Sequence, residues 1–106
     1  MIDAAAVGEI IAQYEKHGWT PRRALLSDEG KRAWSQAVGQ NEIVESDIDA
    51  IWFSRKSKPD SEAWELRRIS GLPFALIAVV STTADSSEVE TTLSQVVDEM
   101  RERTIA

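Results

Sequence analysis

Four residues of this chain bring together types that do recognition chemistry: Trp52, Ser54, Glu65 and Arg67. They lie in two segments that read as neighbouring strands, joined by a turn centred on Pro59 and Asp60. With that centre, Trp52 stands opposite Arg67 and Ser54 opposite Glu65, so an aromatic ring, a hydroxyl, a carboxylate and a guanidinium share one sheet face. Trp and Arg are the types enriched at binding hot spots, which makes these four the expected partner-binding residues. The plainer role for Trp52 is cation–π packing with Arg67. A small-ligand or enzyme site around Trp52, Glu65 and Arg67 is the alternative.

Other constellations are weaker. The chain has one histidine, His17, and no cysteine. His17 falls in the last turn of a helix before Gly18, where a cation complements the helix dipole. Without cysteine, thiol nucleophiles, disulfides and thiolate metal sites are excluded. No serine stands in a nucleophile elbow, so no Ser-His-Asp chemistry is expected. Asp47 and Asp49 fall on one side of a strand start, yet no third acid is spaced to complete a calcium loop. The five glycines are isolated, so no phosphate-binding loop is present. No catalytic residue, metal or cofactor is expected.

Charge narrows the partners. Twelve bases against eighteen acids leave a net charge of −6, which disfavours nucleic acid because backbone binding needs clustered Lys and Arg. The basic pairs Arg22–Arg23, Lys31–Arg32, Arg55–Lys56 and Arg67–Arg68 sit among acids and read as solvated faces. The longest apolar stretch, 73–80, is far short of the ~20 residues of a membrane span, and no basic segment followed by an apolar run marks a signal peptide. No membrane partner is expected, and a cytoplasmic location is.

These residues are carried by elements legible from period and punctuation. A helix over 3–17 has Asp3 as cap, a stripe of Val7, Ile10, Ile11 and Tyr14, and Gly18 as stop. A short strand, 22–26, follows Pro21. Ser27 caps a second helix with Gly30, Ala33, Trp34, Ala37 and Val38 on one side, expected on the rim of the core and ending at Gly39. Strands follow over 48–56 and 63–69, then a turn at Ser70, Gly71 and Leu72. The apolar run 73–80 reads as a central strand buried on both faces. The last helix shows a capping box, Ser87 with Glu90, and a stripe of Val89, Leu93, Val96, Val97 and Met100.

The expected architecture is one α+β domain over residues 1–106, a two-layer sandwich with a four-stranded, mainly antiparallel sheet and three helices in the order αβαβββα. The first strand is expected beside 73–80. The expected function is a small, soluble, non-enzymatic protein-interaction module whose partner is a protein or a second copy. A homodimer would pair through strand 48–56 as a free edge, with Trp52 near the two-fold.

Overall fold

The computed structural model describes residues 2–39, 41–71 and 73–105. Helix α1 runs Ala4–Lys16, capped by the Asp3 carboxylate, which accepts from the Ala6 N–H. It ends at Gly18, whose φ of 88° lies in the left-handed region open to glycine. Strand β1, Thr20–Leu26, leads to helix α2, Asp28–Trp34, capped by the Ser27 hydroxyl on the Gly30 N–H. Four strands follow: β2 at Glu42–Glu45, β3 at Ala50–Lys58, β4 at Ser61–Arg68 and β5 at Ala75–Ser81. Helix α3, Ser86–Ile105, closes the order.

The α+β class and the predicted order hold, with one strand added between α2 and β3. The sheet is five-stranded and mixed, β2-β1-β3-β4-β5, with β1 and β2 parallel. The added strand, β2, is four residues long and polar at both ends, too short to announce itself by alternation. It takes one side of β1 and β3 takes the other, so β1 does not lie beside β5.

Helices lie on both faces, which corrects the two-layer expectation. Helix α2 stops at Trp34 and not at the expected Gly39, and a turn follows it. On one face α1, α2 and that turn bury Val7, Ile11, Trp34 and Val38 against Ala24, Leu26, Ile51 and Phe53. On the other α3 buries Leu93 and Met100 against Leu25, Ala50, Trp52, Trp64, Leu66 and Val80. Alternate residues of β1 and β3 serve opposite cores, as a strand's period of two requires. Trp34 is fully buried and donates from Nε1 to the Ile2 carbonyl, so α2 belongs to the core and not to its rim.

Two strands exchange the places expected of them. The segment expected as a free edge is β3, the middle of the sheet, where residues 50–54 are buried. The apolar run expected at the centre is β5, the edge. Its alternate residues Leu76, Ala78 and Val80 turn toward α3, while Ile77 and Val79 on the other face are 62% and 61% exposed. An apolar run does not distinguish a strand covered twice from one covered once. The turn residue Leu72 lies outside the described residues.

Candidate functional site

The β3–β4 hairpin turns at Pro59 and Asp60 as expected, with Lys58 opposite Ser61. A bulge between Lys56 and Lys58 then moves the register by one residue. Beyond it Trp52 faces Leu66 and Ser54 faces Trp64, while Glu65 faces Phe53 and Arg67 faces Ile51. A shift of one residue sends every side chain of a strand to the other face. The four predicted residues are thereby divided: Trp52 and Ser54 lie under α3, Glu65 and Arg67 on the α1 face.

Under α3 the first pair is structural. Trp52 is 1% exposed and meets Trp64 edge-on at 6.0 Å between ring centroids. Ser54 accepts a hydrogen bond from Arg22 Nη1, and that guanidinium lies 4.8 Å over the Trp64 ring. A second bulge, between Pro21 and Arg23, brings the two neighbouring arginines to this side. Arg22 reaches Glu62, and Arg23 forks onto Glu90. The expected cation–π contact of Trp52 with Arg67 is therefore not formed; Trp52 packs on Trp64, and it is Trp64 that carries a guanidinium, that of Arg22.

On the α1 face the second pair meets Tyr14, a residue that the sequence pattern marks only as part of the apolar stripe of α1. Its ring stacks on Phe53 at 3.9 Å, and its hydroxyl donates to Glu65 Oε2. Burial, then the Glu65 bond and charge, raise the phenol far above its ordinary value of 10.0, with Arg67 opposing. Arg67 donates from Nη1 to the Arg68 carbonyl. No signal in the chain short of the bulge itself could have joined residues 14, 65 and 67.

Around this trio the α1 face is only half covered. Helix α1 lies over β1 and β3, and its Tyr14 reaches as far as Glu65 of β4; beyond that Ala75, Ile77 and Val79 of β5 are open. Between α1 and β4 runs a groove of about 770 Å³, lined in part by Ile2, Ala6, Ile10, Tyr14, Arg67 and Ile69. The bare strand and the groove are neighbours with different chemistry: one is a flat apolar edge, the other a concave apolar wall ending at Arg67 and Arg68.

The two aspartates and the histidine each hold a partner within the fold. Asp49 is buried and accepts from both the backbone N–H and the hydroxyl of Ser27, tying β3 to the start of α2. Asp47 pairs with Arg101 of α3 at 2.7 Å. His17 is the exposed C-cap of α1, and its carbonyl accepts from Arg55. Trp19 covers the end of the core beneath the Arg55 guanidinium, 4.6 Å from its ring centre. Among the described residues no group of three His, Cys, Asp or Glu side chains is placed to hold a metal ion, and no helix is long and apolar enough to cross a membrane. Compared with known proteins, the chain matches no family model, no curated protein and no solved structure.

Proposed function

We propose that this chain is a small, cytoplasmic, non-enzymatic protein-interaction module that self-associates, and that it does so through the β5 edge of its sheet. The observation that carries the proposal is the exposure of Ile77 and Val79 on an edge strand. An edge presents unpaired backbone donors and acceptors, and soluble proteins blunt such edges with charge, proline or bulges. From Ala75 to Ser81 there is no charge and no proline, and the pairing with β4 runs without a shift.

The strand's own order favours a second copy as its partner. In an antiparallel pairing about a two-fold axis at Ala78, Ile77 of each copy stands opposite Val79 of the other. Leu76 likewise stands opposite Val80. Cross-strand pairs of branched apolar residues stabilise a sheet, and the isologous register makes each pair twice. Of the four residues first singled out, Glu65 and Arg67 flank this surface from β4, while the buried Trp52 and Ser54 take no part in it.

Sedimentation equilibrium at tens of micromolar tests the proposal. The unaltered chain is expected to be dimeric and Val79→Lys monomeric, with Ile77→Lys behaving likewise; both positions are exposed, so neither change disturbs the core. A monomeric unaltered chain overturns self-association. Lysine variants that dimerise with undiminished affinity overturn the β5 edge.

A further inference from the structure

The groove between α1 and β4 has the dimensions of a ligand site. At about 770 Å³ it falls within the roughly 300–1,000 Å³ of small-molecule pockets. Its α1 wall is apolar because Ile2, Ala6 and Ile10 recur every four residues and so line one side of the helix and its lead-in. Ile69, 2% exposed, is shared between the groove and the core behind it. Apolar surface that is only half buried along a concave wall favours an apolar occupant.

The polar end sets the occupant's charge. The Tyr14 hydroxyl is committed to Glu65, which gives that carboxylate a donor of its own. Two arginines, Arg67 and Arg68, line this end; Arg67 donates from Nη1 to the Arg68 carbonyl and pairs with no carboxylate among the described residues. A guanidinium carries five N–H donors in a planar fork, so most of Arg67's capacity remains for an acceptor, and a carboxylate matches that fork. The acid lining the groove is Glu9, exposed at its rim.

We infer that this groove binds an amphipathic organic anion, a single apolar chain ending in a carboxylate. The carboxylate sits on the Arg67 guanidinium and the chain lies along Ile2, Ala6 and Ile10. This site does not depend on β5 pairing, and its test does not read the oligomeric state.

Calorimetric titration of the full chain with decanoate, below the concentration at which decanoate forms micelles, decides the matter. Saturable binding with one decanoate per chain is expected. Arg67→Gln is expected to weaken it by about tenfold or more, the loss typical of a charge-assisted hydrogen bond. Ala6→Phe, which fills the groove, should abolish it, and neutral 1-decanol should bind at least as weakly as decanoate binds Arg67→Gln. Should Arg67→Gln unfold early in a thermal melt, the comparison of decanoate with decanol on the unaltered chain still decides. No saturable binding of decanoate overturns the inference. So does equal binding of acid and alcohol, or binding to phosphatidylglycerol vesicles without binding to free decanoate.

Discussion

At the scale of single residues, two buried contacts make sharp claims. Gly30 lies inside α2, where alanine would ordinarily stabilise the helix by about 1 kcal/mol. Here a Cβ would stand 2.1 Å from Asp49 Oδ1 and 3.3 Å from the Trp34 ring. Asp49 cannot swing aside freely, because it is buried and holds both Ser27 donors. Gly30→Ala is therefore expected to lower the urea midpoint, and a double-mutant cycle with Asp49→Ala to show the two changes strongly non-additive. A stabilised Gly30→Ala would mean that Asp49 does not hold this position. The second contact is Tyr14 with Glu65. Because Tyr14 is the chain's single tyrosine, its phenolate absorbance reports this contact alone. Burial and the Glu65 carboxylate both raise its folded pKa, so the stability it contributes is complete below the ordinary 10.0 and is lost as pH rises beyond that value. Phenolate is expected only well above pH 10, with Glu65→Gln bringing its appearance closer to the ordinary value. Ionisation of the native protein at 10.0 would show the hydroxyl neither buried nor paired with Glu65.

At the scale of elements, α3 illustrates what a sequence makes legible. Its apolar stripe was readable because a 3.6-residue period persists over many turns: Leu93 and Met100 are buried, with Val89, Val96 and Val97 partly so. Leu93→Ala is accordingly expected to cost ~2–5 kcal/mol in a urea melt. The helix begins two residues before the start that the Ser87–Glu90 capping box predicts. The Asp85 carboxylate accepts from the Glu88 N–H and the Ser87 hydroxyl, so Asp85 is the cap and Ser87 lies within the helix. Asp85→Ala should thus lower the melting temperature clearly more than Ser87→Ala does. Three carboxylates fasten this helix and all three are held below their ordinary values. The Glu88 N–H does this for Asp85, the Arg23 guanidinium for Glu90, and Arg101 for Asp47. Lowered folded values mean that these contributions are present above the ordinary 3.8 of Asp and 4.5 of Glu and vanish as pH falls through the folded values. Amide exchange in α3 should accelerate over that acid window before exchange in β3 does. What could not be read was register. A bulge such as that between Lys56 and Lys58 leaves no compositional mark, yet it decided which residues share a face. Edge and centre were likewise hidden, because hydrophobicity reports that a strand is covered and not on how many sides.

At the scale of the whole molecule, charge distinguishes the proposed surfaces. Each copy carries a net −6, and residues 70–106 hold six acids against two bases. Two such chains repel at low ionic strength, where the screening length is about 30 Å at 0.01 M, and much less at 1 M, where it is about 3 Å. The paired β5 strands themselves contribute no compensating ion pairs, since Ala75–Ser81 is uncharged. Its driving force is burial of Ile77 and Val79 together with backbone hydrogen bonds, and salt does not screen these as it screens charge. Self-association is therefore expected to strengthen with added sodium chloride. An anion held on Arg67 should show the opposite sign, because salt screens the guanidinium–carboxylate attraction while leaving the apolar wall unaffected. Sedimentation and decanoate titration across one salt series measure both responses on the same preparation. A dimer that dissociates as salt rises would place ion pairs at the contact and move the interface away from β5, toward the charged rim where Arg23 meets Glu42 and Glu90.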